Sequence, residues 1–115
     1  KEAEMMKYFR NISLAVKVGL CNEIESYCSK MNIDYNIVSK LGCLDKRITS
    51  SHTQVPGHDG KRGFGGTCFP KDINAIIHVM RGLDLDPIVL QSAWQKNLEV
   101  REDKDWESII GATSE

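Results

Sequence analysis

Apolar residues near the start of the chain recur at steps of three and four: Met5, Phe9, Ile12, Val16, Leu20, Ile24, Tyr27 and Met31. That period places them along one side of an α-helix from Lys1 to about Met31. At a rise of 1.5 Å per residue the helix would be about 45 Å long. A chain of 115 residues has too little other material to cover it, so part of the apolar stripe is expected to lie against another subunit or domain. Asn32 ends the helix, Asp34 is placed to cap a short second helix through Leu41, and Gly42 stops that one. Positions 42 to 69 keep no period, and an unpatterned stretch of that length inside a compact domain is usually functional or disordered.

Helical spacing returns at Pro70, whose missing N–H is tolerated in a first turn. Ile73, Ile76, Ile77 and Met80 then share one side up to Arg81, with Gly82 as the stop. Asp86 and Pro87 open a last long helix through about Lys104, carrying Ile88, Leu90, Ala93, Trp94 and Leu98, and a turn over Trp106 to Ile110 closes the chain. No segment alternates with period two for long enough to make a strand. The expectation is an all-α fold around one core.

Charge adds little to this picture. Fifteen basic and sixteen acidic residues leave a net charge of −1, so no global field draws the chain to nucleic acid or to an anionic membrane. No apolar run reaches the length of a spanning helix and no signal-peptide pattern opens the chain, so a cytoplasmic protein is expected. The opening KEAEMMKY is already in helical rhythm, as in a piece excised from a longer polypeptide. The cysteines Cys21, Cys28, Cys43 and Cys68 lack CxxC spacing, and His52, His58 and His78 do not complete a zinc set, so no metal is expected. Cys21 and Cys28 fall in the helical pattern of the first segment and read as small buried hydrophobes.

Cys68 has a different setting, GKRGFGGTCFPKD at 60 to 72. A thiolate is favoured beside cations and at a helix N-terminus, and here Lys61, Arg62 and Lys71 are near in sequence while a helix starts at about Pro70. The glycines let a ligand approach the backbone closely. The stretch lacks the order of a phosphate-binding loop, and no strand precedes it as a dinucleotide fingerprint requires. A cysteine hydrolase would need a histidine at the sulfur; His78 is too far along the next helix, leaving His52 and His58 to approach only through loop folding. A thiol-dependent enzyme or redox protein using Cys68 without a nicotinamide cofactor is a further reading. In the first helix Lys7, Asn11 and Asn22 fall within an arc of about 60°, opposite the main apolar stripe, together with Leu14 and Val18. The arc is either a solvated stripe or a second buried face, on which an ammonium and an amide could hold a developing oxyanion beside Cys68.

EMMKYFRN at 4 to 11 and GFGGTCFPKD at 63 to 72, with LDKRI at 44 to 48 and VPGHDGKRG between them, resemble the nucleotide-sugar 6-dehydrogenases. These are the enzymes of UDP-glucose, UDP-N-acetylmannosamine and GDP-mannose. The resemblance covers nearly the whole chain and implies the family's central helical dimerisation domain, with one very long N-terminal helix, like the C-terminal domain of 6-phosphogluconate dehydrogenase. Residues 1 to 115 would form that domain alone, with the flanking NAD-binding and nucleotide-binding Rossmann domains outside the chain. It further implies an NAD-dependent oxidation of a sugar C6 alcohol to a carboxylate, UDP-glucose being the first choice of substrate, and a homodimer formed through the long helix. In the matching positions Cys68 is the nucleophile, Lys7 and Asn11 hold the C6 oxygen, and Asp72 positions or activates water. Gly63, Phe64, Gly65 and Gly66 contact substrate, Arg47 reaches the substrate of the neighbouring subunit, and Lys71 is the one candidate cofactor contact. The competing reading is a stand-alone dimerisation or interaction module that keeps the motif without the activity.

Overall fold

The computed structural model describes residues 1–108. They form four α-helices, α1 (Glu2–Lys30), α2 (Tyr35–Gly42), α3 (Cys68–Gly82) and α4 (Ile88–Val100), and a final 3₁₀ turn, Asp105–Ser108. The described residues contain no β-strand, so the fold is all-α as expected. Helix α1 runs 29 residues and sets the long dimension of the molecule, 42 Å. It packs against both α3 and α4, while α2 caps its far end.

The core side of α1 takes only Ile12 and, in part, Val16 from the stripe that the spacing selects. Ile12, Ala15, Val18, Gly19, Cys21, Asn22 and Cys28 are the buried positions of this helix, whereas Met5, Phe9, Leu20, Ile24, Tyr27 and Met31 are exposed. The arc bearing Val18 and Asn22 is thus a buried face, and the longer-chain stripe faces outward. Small residues win the core side because two helices must approach there: Gly19 lies against Ala93 of α4. The core joins Ile12, Ala15 and Val18 to Ile73 and Ile77 of α3, Leu90 and Ala93 of α4, and Phe64 from the long connection. A second cluster, Cys21, Cys28 and Tyr35, fastens α2. There the Tyr35 hydroxyl donates to the Thr53 carbonyl at 2.6 Å, and burial, with hydrogen bonding to Cys21, pushes that hydroxyl well above the ordinary tyrosine range.

Helix ends show where local signals held. Asn32 adopts φ 55° and the Ile33 N–H returns to the Cys28 carbonyl at 2.8 Å, a Schellman stop as the sequence suggests. Asp34 caps α2, accepting from the Asn36 N–H. At the end of α3 the left-handed residue is Asp84, φ 60°, with Leu85 N–H bonded to Met80 at 2.9 Å; Gly82 is the last helical residue and not the stop. Helix α3 starts at Cys68, two residues before Pro70, because a proline third in the helix still falls among the N–H groups that have no partner. Helix α4 starts after Pro87 without a side-chain cap from Asp86, and ends at Val100 and not Lys104, because Arg101 turns extended at ψ 115° and buries its side chain. The expected closing turn is present as far as Ser108; Ile109 and Ile110 lie outside the described residues.

Candidate active site

A cleft of about 350 Å³ lies between the start of α1 and the start of α3, lined by Glu4, Lys7, Tyr8, Asn11, Cys68, Lys71 and Asp72. Each residue reaches it for a reason visible in the helical period. Glu4, Lys7, Tyr8 and Asn11 follow one another at three and four positions on α1, and Cys68, Lys71 and Asp72 do the same on α3. Cys68 is exposed and is the first residue of its helix, where unpaired backbone N–H groups favour negative charge. The Asn11 amide donates to Asp72 Oδ2 at 2.7 Å. One of its two N–H bonds is thereby engaged, and the other is left for a ligand oxygen. Lys7 makes no ion pair among the described residues, so its ammonium is a free cation at the mouth of the cleft.

The glycine stretch has no strand or helix to satisfy its backbone, and side chains from elsewhere do so. The Gly63 N–H donates to Asn22 Oδ1 at 3.2 Å. Asn97, fully buried on α4, matches both polar groups of one residue: its Oδ1 accepts from the Phe64 N–H at 2.7 Å and its amide donates to the Phe64 carbonyl at 2.9 Å. The Gly66 N–H donates to Asp105 at 3.0 Å. Gly63, at φ 69°, could not carry a Cβ without striking Asn97 Oδ1, and a Cβ on Gly65 would strike the Arg101 guanidinium and Asp105. These two glycines therefore serve close packing beneath the loop, at the Asn97 and Arg101 side chains.

Other expected residues are placed elsewhere. Phe64 is buried in the core with both backbone groups bound to Asn97. Gly63 and Gly65 line a neighbouring hollow of about 250 Å³ with His52, His58 and Phe69. Arg47 lies on the outward groove between α1 and α2 and pairs with Asp45 at 2.7 Å. No histidine lines the Cys68 cleft: His52 stacks on Phe69, ring centroids 5.7 Å apart, and His78 faces a groove between α3 and α4. The hydrolase arrangement is therefore absent here. Asn22, grouped with Lys7 and Asn11 by its arc, is a loop anchor and not a cleft residue.

The residues that sequence reasoning missed are Asn97, Arg101, Asp105 and the cleft pair Glu4 and Tyr8. A signal existed for the first two. Leu90, Ala93, Asn97 and Arg101 are spaced by three, four and four, so a polar amide and a cation sit in the register of the buried face and must find partners there. Arg101, 1% exposed at its side chain, pairs with Asp59 at 2.8 Å and donates to the Asp103 carbonyl at 2.8 Å and the Arg62 carbonyl at 3.3 Å. Burial alone would raise the Asp59 carboxyl, but hydrogen bonds from Arg101 and from the Lys61 backbone outweigh it and hold the group below its ordinary value.

Two outcomes follow. Arg101→Met should destabilise the fold by about 2 kcal/mol, because it removes the hydrogen bonds that the buried guanidinium donates to partly exposed acceptors at Arg62, Asp103 and Asp59. A carboxyl held low in the folded state stabilises at pH above its unfolded value, about 3.9, and loses that contribution as pH falls through the folded value. Denaturant midpoints measured from pH 6 to pH 2 should therefore fall less steeply for Arg101→Met than for the unmodified chain.

A helical domain that presents a cysteine at a helix start, with a lysine, an amide and a carboxylate around one cleft, is suited to covalent catalysis with an oxyanion to stabilise. Residues 1–99 match the central domain of the UDP-glucose/GDP-mannose dehydrogenase family, and the chain belongs to that family. It is 36% identical over 97 residues to the UDP-glucose 6-dehydrogenase of Bacillus subtilis, covering 84% of this chain and 21% of that protein. It is 35% identical over 96 residues to the GDP-mannose 6-dehydrogenase of Pseudomonas syringae, covering 83% and 21%. A UDP-glucose dehydrogenase structure from the archaeon Pyrobaculum islandicum superposes with a TM-score of 0.77 at 32% identity, covering 86% of this chain and 22% of that one. The chain thus spans about a fifth of the length of the curated relatives it matches. Among the described residues no helix is long and apolar enough to cross a membrane.

Proposed function

We propose that this chain is the nucleophile-bearing central domain of an NAD-dependent nucleotide-sugar 6-dehydrogenase, with UDP-glucose as substrate and the uronate as product. The observation that carries the reading is the convergence of Cys68, Lys7, Asn11 and Asp72 on one cleft. NAD supplies hydride acceptance. The described residues form helices only and offer no strand–glycine turn–helix cradle for a dinucleotide, so its binding would rest on residues beyond these, with Lys71 at the cleft edge as the one local contact.

The chain's own residues account for the rest. Lys7 and the free N–H of Asn11 hold the C6 oxygen as negative charge develops on it. When C6 has reached the aldehyde, the Cys68 sulfur bonds to that carbon, the carbonyl electron pair moves to oxygen, and the oxygen takes a proton. Once the same carbon is at the oxidation level of a thioester, water held by Asp72 attacks it. The carbon–sulfur bond breaks, and carboxylate and thiol are released. Asp72 is fixed for this by its bond to Asn11. Gly63, Phe64, Gly65 and Gly66 shape the backbone on which the sugar rests.

The exposed apolar residues of α1 and α2, Leu20, Tyr27, Ile37 and Leu41, with Leu44 just past α2, are all more than half exposed and support a homodimer formed through α1. Arg47 projects from the groove between α1 and α2, 89% exposed at its side chain, as a residue serving the partner's substrate would. The test is turnover by a polypeptide joining this domain to nucleotide-binding domains. UDP-glucose, GDP-mannose and UDP-N-acetylmannosamine are offered in parallel, with two NADH expected per UDP-glucose consumed. No NADH with any of the three would leave the non-catalytic module as the correct reading.

A further inference from the structure

Between Arg62 and Gly66 the backbone makes its contacts to side chains rather than to a regular element. Its partners are Arg101 at the Arg62 carbonyl, Asn22 at Gly63, Asn97 at both groups of Phe64 and Asp105 at Gly66. Asn97 is the hub of this set. It is fully buried, it belongs to the packed helix α4, and it pairs with Phe64 as a neighbouring strand would. Gly63 is excluded from carrying a side chain by the same amide oxygen. Phe64 in turn contacts Phe69, ring centroids 6.0 Å apart, so both sides of Cys68 in the sequence are referred to one buried amide.

We propose that Asn97 is a positioning residue for Cys68: it fixes the glycine loop on α4 and thereby sets where the sulfur stands relative to the cleft. The proposal rests on the nucleotide-sugar dehydrogenase reading. Its chemical content concerns one step, the addition of sulfur to the C6 aldehyde, in which the sulfur–carbon bond forms as the carbonyl pair moves to oxygen. A sulfur displaced by the order of 1 Å can lose about 10²-fold in rate, and an aldehyde not captured in time leaves the site. Lys7 and Asn11 stand on α1, which Asn97 does not touch through hydrogen bonds, so the groups that hold the C6 oxygen for the first oxidation stay in place.

The experiment is NADH stoichiometry of the Asn97→Ala enzyme, assembled with its nucleotide-binding domains, in the presence of hydroxylamine as an aldehyde trap. The expected result is a fall from two NADH per sugar toward one, with sugar oxime accumulating and about 10²-fold slower carboxylate formation. The ratio does not depend on the fraction of enzyme folded. A purely structural role would leave it at two while the rate fell with folded protein, and that outcome overturns the proposal. Should the alanine variant fail to fold, Asn97→Asp keeps the acceptor for the Phe64 N–H and removes only the donor to its carbonyl. The same fall is expected, and a ratio of two again overturns the idea. If the unmodified enzyme makes no NADH, the functional reading itself fails, and the proposal with it.

Discussion

Cys68→Ala is expected to stop formation of the carboxylate, by about 10⁴-fold or more, since no other thiol lines the cleft to replace the sulfur. Cys43 lies with Arg47 on the outward groove, while Cys21 and Cys28 are buried in the cluster that fastens α2. None can substitute. Because Cys68 is exposed, its truncation leaves no cavity, and thermal stability should stay within about 0.5 kcal/mol. Carboxylate production measured by chromatography, beside a melting curve, separates the two effects. Retention of a tenth of the activity would remove the sulfur from the mechanism.

Lys7→Met should lower kcat by 10² to 10³, roughly the loss seen when one donor to a developing oxyanion is removed. Methionine keeps most of the apolar stem and deletes the charge. Lys7 is exposed near the start of α1 and makes no ion pair among the described residues, so the fold has little to lose. The effect should fall on kcat more than on KM, because the charge it stabilises is larger in the transition state than in the bound alcohol. Asn11 offers a contrast. Its bond to Asp72 means that Asn11→Ala also frees the carboxylate, so its consequences should spread over both sugar oxidation and hydrolysis.

The pairings inside each helix were readable from spacing alone. Lys7 with Asn11, and Cys68 with Asp72, are one turn apart, and a helical period puts such pairs on one side whatever the tertiary structure does. The resemblance in EMMKYFRN and GFGGTCFPKD grouped residues of the two helices, and one cleft is lined by residues of both. The core side of α1 was readable only as one of two alternatives for the arc of Val18 and Asn22, both of which are buried. The helix is apolar on two sides, and the bulkier stripe lost the core to Ala15, Val18 and Gly19 because α4 approaches closely there. The loop anchors were not readable. Asn97 and Phe64 are 33 positions apart and Arg101 and Asp59 42 apart, and partners that distant are fixed by packing and not by local propensity. The end of α4 was misjudged for the same reason, since Arg101 leaves helical geometry to reach a buried pairing that the local sequence does not announce.

Quenching the enzyme in acid during turnover of UDP-glucose, followed by peptide mass mapping, tests the site most directly. The predicted result is a sugar-nucleotide adduct on the peptide that contains Cys68, absent without substrate and absent in Cys68→Ala. Carboxylate accumulating while the Cys68 peptide stays unmodified and freely alkylated throughout turnover would contradict covalent catalysis at this cleft.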